Sequence, residues 1–187
     1  LQKSGRLDKI QIIFSCDALG DEGEYVRTGL DLSIALKNFE HILYNTNIDQ
    51  VVNSALTVTA VPGMPSLVKY INKCNKVKPI YWSMMKASQH NVGPRPYLYP
   101  GIFGKQINEW GLREAIEMFD TTSHGYPDSV KIAYKDYMQG IIKEFENREP
   151  SLLRQKQFKI YLNELDRRRN TDWKKIYPQI FEKVKHL

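Results

Sequence analysis

Lys9-Ile10-Gln11-Ile12-Ile13-Phe14-Ser15-Cys16-Asp17 is the stretch from which the rest of the chain can be read. Its β-branched and aromatic residues form a short run, closed by Asp17 and by a loop to Glu24 that holds Gly20 and Gly23, the signature of a strand running into a turn. Side chains alternate across a strand. Ile12, Phe14 and Cys16 therefore make an apolar face, while Ile13, Ser15 and Asp17 make a face that turns polar toward the C-terminal end. Downstream, Leu32, Ala35, Leu36, Phe39, Ile42 and Leu43 recur at helical spacing until Asn45-Thr46-Asn47. A second strand is expected over residues 50–61, rich in Val and Thr. Pro62-Gly63-Met64-Pro65 breaks it, and Ser66 is expected to cap a helix carrying Leu67, Val68, Tyr70 and Ile71 that ends near Asn75. Residues 79–85 supply a third strand. Strand, helix, strand, helix, strand implies right-handed crossovers and a parallel sheet.

In the second strand Asn53, Ala55, Thr57 and Thr59 share one face. A doubly wound sheet buries both faces and reads apolar on both. Here Ser15, Asp17, Asn53, Thr57 and Thr59 gather on one, which predicts an α/β fold built on a partial (βα) barrel of parallel strands. Its inner wall would line a polar site, with chemistry at the C-terminal strand ends. The plainer account is that these groups cap loops and satisfy backbone.

After Pro94, Pro96 and Pro100, in a segment read as loop over residues 91–104, the period becomes helical. Helices are expected over 107–121, 127–147 and 150–169, with a short last one near Asp172 capped by Thr171. This divides the chain into a barrel segment, 1–105, and a helical C-terminal extension, 106–187. Leu1-Gln2-Lys3-Ser4-Gly5 reads as the tail of a helix with Gly5 at its C-cap, a hint of truncation.

Composition excludes several classes. The 187 residues are 42% hydrophobic and 26% charged, too apolar and too evenly charged for disorder. Eleven Gly and nine Pro rule out collagen-like or low-complexity readings. No apolar run reaches the roughly 18 residues of a membrane span, and there is no signal peptide. Two cysteines, Cys16 and Cys74, point to a reducing cytoplasm rather than a disulfide scaffold. Neither they nor His41, His90, His124 and His186 make a metal-ligand spacing. There is no P-loop, dinucleotide fingerprint or nucleophile elbow.

Ile13-Phe14-Ser15-Cys16-Asp17-Ala18, followed by Glu24-Tyr25-Val26-Arg27-Thr28-Gly29, resembles the radical S-adenosylmethionine enzymes. Their fourth strand commonly ends in Ser-x-Asp-Ala/Gly, and a Tyr/Ile-Arg-x-Gly stretch often follows before the next helix. Phe39 and Leu43 fit the family's helix pattern, and residues 161–173 look similar to the tail of the twitch or SPASM subgroup. The resemblance implies S-adenosylmethionine as cosubstrate and a [4Fe-4S] cluster in the full-length protein. It also implies 5′-deoxyadenosyl-radical chemistry on an unknown substrate. The family's Cys-x3-Cys-x2-Cys loop is absent here, so the resemblance implies a C-terminal part whose partner is a missing N-terminal half, inactive by itself. By position, Ser15 matches the serine near the methionyl end of the cosubstrate, and Arg27 the basic residue near its carboxylate. Asp17 matches the acidic position of the motif, and Asn53 and Thr57 fall where the next strand lines the pocket. No catalytic residue is assigned. A surface pair of Arg27 with Glu24 or Asp31 is the alternative for that residue.

A second function class follows from charge. Lys plus Arg number 27 against 21 Asp plus Glu, a net +6, and the excess is concentrated toward the C-terminus. Arg167-Arg168-Arg169 with Trp173, Lys174, Lys175 and Tyr177 interleaves basic and aromatic residues, as a nucleic-acid-binding tail would. A solvated helix with Trp173 packed inward explains the same pattern.

Overall fold

The computed structural model describes residues 10–86 and 95–187. The expectations for Leu1–Gly5, His90 and Pro94 lie outside the described residues. Strands β1 (Gln11–Ser15), β2 (Asp49–Leu56) and β3 (Tyr81–Lys86) pair in chain order, both pairs parallel. Between them lie α1 (Asp21–Val26), α2 (Leu32–Asn45) and α3 (Met64–Asn75). Beyond come 3-10 turns at Pro96–Leu98 and Pro100–Trp110, then α4 (Leu112–Thr121), α5 (Asp128–Glu146), α6 (Leu152–Arg169), α7 (Trp173–Ile176) and α8 (Pro178–Val184). The fold is mixed α/β, as expected, with a parallel three-stranded sheet and helices.

The alternation read from the sequence decides which face is covered. Phe14 packs against Phe39 of α2, the tilted rings 5.1 Å apart, and Val52, Leu56 and Trp82 are fully buried on the same side. Two polar residues of β2 are buried there: Gln50 Nε2 donates to Phe39 O at 2.9 Å, and Ser54 Oγ donates to Cys16 O at 2.5 Å and accepts from Trp82 Nε1 at 2.9 Å, linking all three strands. On the opposite face Ile13, Tyr81 and Met85 are exposed. One contiguous core runs from Cys16 through Trp82 and Phe103 to Trp173 and Val184. The C-terminal helices thus bury their apolar residues in the same cluster as the sheet. Each fully buried large side chain stabilises by roughly 1.5–3 kcal/mol.

Several boundaries differ from the sequence reading. Pro62-Gly63-Met64-Pro65 does not merely break β2; it forms a 3-10 turn and the first turn of α3, so Ser66 lies inside the helix and Gly63 is the N-cap. Proline is tolerated there because first-turn amides have no partner to lose. The loop after β1 contains α1. Residues 95–104 are largely 3-10 rather than open loop, and the helix expected over 107–121 splits at Gly111. A Cβ on Gly111 would stand 2.2 Å from Val61 O, so α4 can approach the start of α3 only with glycine at this corner. The final helix is capped by Asp172, not Thr171: Asp172 Oδ1 accepts from Lys174 N, while Thr171 Oγ1 donates to Asp166. Among the described residues no helix is long and apolar enough to cross a membrane.

Candidate functional site

The register β1–β2–β3 places Ser15, Asn53 and Ser83 in one row across the uncovered face. Residues paired in register point the same way, so a serine, an asparagine and a serine stand side by side. Ser15 is exposed; Asn53 and Ser83 are half-buried. The row before it is Ile13, Val51 and Tyr81, and Ala55 pairs with Met85 beyond it. Ser83 escaped the sequence reading because inter-strand register is set by backbone pairing and leaves no mark on one strand's sequence.

Asp17 and Arg27, the other half of the motif, hold one another. Arg27 Nη2 lies 2.9 Å from Asp17 Oδ2, and Asp17 Oδ1 accepts from Ala55 N at 2.7 Å. The carboxylate is buried and pins the loop after β1 to the end of β2. Arg27 therefore pairs with neither Glu24 nor Asp31. Glu24 accepts from Leu32 N at 3.0 Å, and Asp31 caps α2 by accepting from Ile34 N at 3.0 Å. The pair leaves one polar atom open: Arg27 Nε is buried with no hydrogen-bond partner. A buried donor left in this state is costly unless an acceptor arrives.

Thr57 follows the last residue of β2, and its Oγ1 lies 3.1 Å from Thr59 Oγ1. Above these hydroxyls α6 crosses the strand ends, and the space between is a cleft of about 200 Å³ that includes Thr57, Thr59, Arg95 and Arg169. Arg169 Nη1 donates to Tyr25 O at 3.0 Å, and Tyr25 Oη donates to Asp166 Oδ1 at 3.1 Å. Burial, reinforced by that carboxylate, pushes the Tyr25 phenol well above its ordinary range. Pairs 141 and 144 residues apart in the chain have no local sequence signal.

The basic and aromatic residues of the tail divide between surface and core. Trp173 and Tyr177 are fully buried, so neither ring is open for base stacking. Arg167 and Arg168 both reach Glu164, at 2.7 and 2.6 Å, and the two guanidiniums hold that carboxyl at about 2.

Cys16 and Cys74 are buried and unpaired, and no group of three His, Cys, Asp or Glu among the described residues is placed to hold a metal ion. Burial, with the Asp17 carboxylate adding to it and Arg27 opposing, pushes the Cys16 thiol up to about 12. The unfolded thiol ionises near 9.0, so the folded state binds the proton more tightly. The stability this provides is fully present below about pH 9 and is lost as pH rises toward about 12. Urea midpoints should fall on going from about pH 8 to about pH 10, with a slope of at most about 1.4 kcal/mol per pH unit from this group. Cys16→Ala should flatten that slope. Buried tyrosines such as Tyr25 and Tyr177 act in the same direction at higher pH. A midpoint that stays level across this window in the unsubstituted protein would contradict the burial of Cys16.

Comparison with family models, with curated proteins and with solved structures gave no match.

Proposed function

We propose that this chain is the C-terminal part of a radical S-adenosylmethionine enzyme of the twitch or SPASM type, its three strands forming one wall of a partial barrel. The observation that carries the reading is the polar row Ser15, Asn53 and Ser83 on the uncovered face of a sequentially ordered parallel sheet, beside Thr57 and the Asp17–Arg27 pair. An ordinary two-sided sheet would bury this face under helices. A barrel wall instead presents it to a ligand near the C-terminal strand ends.

The residues fit the two implied groups unequally. A [4Fe-4S] cluster needs thiolates, and two buried cysteines 58 positions apart do not supply them. Its ligands would belong to residues upstream of this chain, and nothing here is routed through it. The cosubstrate is better served. Ser15 and Thr57 hydroxyls and the Asn53 amide offer donors and acceptors to its amino and ribose groups. Arg27 Nε, buried and unpartnered, offers a charged donor to its carboxylate. Bound beside a reduced cluster held by upstream residues, that cosubstrate would take up one electron and supply methionine and a 5′-deoxyadenosyl radical. This chain's part is to orient it, with Asp17 fixing Arg27 and the β1 loop, and to shield it from water.

The test uses the protein extended through its upstream residues and reconstituted without oxygen. Calorimetry should show S-adenosylmethionine binding weakened about tenfold by Ser15→Ala, the loss of one hydrogen bond to a charged group. The urea midpoint should move little, because Ser15 is exposed. Unchanged affinity, or an upstream sequence without Cys-x3-Cys-x2-Cys, ends the proposal.

A further inference from the structure

We propose that the cleft between the strand ends and α6 binds the oxyanion group, phosphate or carboxylate, of a small ligand. Thr57, Thr59, Arg95, Tyr161, Arg169 and Tyr25 line it, drawn from separate segments of the chain. Among the described residues, two guanidiniums and no carboxylate line it. The acidic residues of α6 nearest in sequence are already engaged. Glu164 is held by Arg167 and Arg168, and Asp166 accepts from Tyr25 Oη, Thr171 Oγ1 and Trp173 N. Glu164 thus has two guanidiniums as counter-ions, whereas Asp166, held by neutral donors, keeps its negative charge beside Tyr25 and is outnumbered by the two guanidiniums of the cleft wall.

The donors are also held in place before any ligand arrives. Arg169 spends one donor on Tyr25 O at 3.0 Å, and Arg95 lies over the Tyr161 ring at 5.9 Å. A guanidinium has five N–H donors, so each retains several. Thr59 is only 6% exposed. Its hydroxyl and that of Thr57 share one hydrogen bond, which uses one of two protons and leaves the other for a further acceptor. Oxyanions suit this set because guanidinium forks meet them bidentately. At about 200 Å³ the cleft is smaller than the roughly 300–1,000 Å³ typical of drug-sized ligands. It takes a small molecule, or the anionic end of a larger one.

As the substrate side of the radical pocket, which shares Thr57, this inference rests on the function proposed above; anion binding itself does not. The test therefore needs no cosubstrate. Inorganic phosphate and malonate are titrated separately against the chain at constant ionic strength, and the Nε–H signals of Arg95 and Arg169 are followed by NMR. Saturable shifts of both, weakened at least about tenfold in Arg95→Gln, are the expected result. Lys131→Gln, on α5 and outside the cleft, should bind as the parent does. The tighter of the two probes tells a phosphoryl from a carboxylate ligand. Shifts that never saturate with either probe, or saturate equally in Arg95→Gln, overturn the proposal. Exposed Arg95 is replaceable without loss of fold, and the urea midpoint of the variant verifies this.

Discussion

Trp173→Ala is expected to cost about 3–5 kcal/mol, the range for removing a large aromatic from a packed core. Trp173 has no exposed surface. Its ring meets Phe158 and Phe181 edge-on at 6.4 and 5.6 Å, its Nε1 donates to Asn163 Oδ1 at 2.9 Å, and its backbone N donates to Asp166 Oδ2 at 2.8 Å. The substitution empties the space joining α6, α7 and α8, and small domains have only about 5–15 kcal/mol in total. Urea unfolding followed by circular dichroism measures it. Trp173→Phe separates the contributions: it keeps most of the apolar contact, loses the bond to Asn163, and should cost about half as much or less. A midpoint for Trp173→Ala equal to that of the parent would mean the tail is not docked as described.

Asp17→Ala should cost about 2–3 kcal/mol, for a different reason. The carboxylate volume is small, so the loss is electrostatic. Ala55 N loses its acceptor, and an unpaired buried amide costs about 1–3 kcal/mol. Arg27 loses its counter-charge, but its side chain is 36% exposed, so water screens much of that penalty. Breaking a fully buried pair would cost more, about 3–5 kcal/mol. Asp17→Asn distinguishes the parts: its amide oxygen still accepts from Ala55 N, so it should retain over half of the lost stability. Chemical denaturation of the three proteins reads this directly. Equal stability of Asp17→Ala and the parent would show that the loop does not need the tie, and would return Asp17 to the open face that its alternation with Ser15 suggests.

How much of this was legible varied with the range of the interaction. Ile12, Phe14 and Cys16 against Ile13 and Ser15 announce two unlike faces, because alternation is a property of one strand. Leu32, Phe39 and Leu43 at helical spacing likewise announce which side of α2 is buried. The errors were at edges, where single hydrogen bonds decide. Asp172 took the cap expected of Thr171, and Pro62–Pro65 opened a helix instead of only closing a strand. In the candidate site, Ser15 and Asn53 share one face as their alternation suggests, while Asp17 turned to Ala55 N and Arg27. Past the last residue of a strand, alternation no longer governs where a side chain points.

Local periodicity by itself determined that the chain makes parallel strands separated by helices, with one apolar sheet face and one of mixed character, followed by a helical region. Tertiary structure alone decided that Ser83 joins Ser15 and Asn53, that Arg27 answers to Asp17, and that α6 brings Arg169 over Thr57 and Thr59. Hydrophobic alternation is written into neighbouring residues, so a sequence displays it. Register and docking are chosen by summed burial and hydrogen bonding between separate segments, from tens to more than a hundred residues apart, and no short stretch of the chain carries that sum.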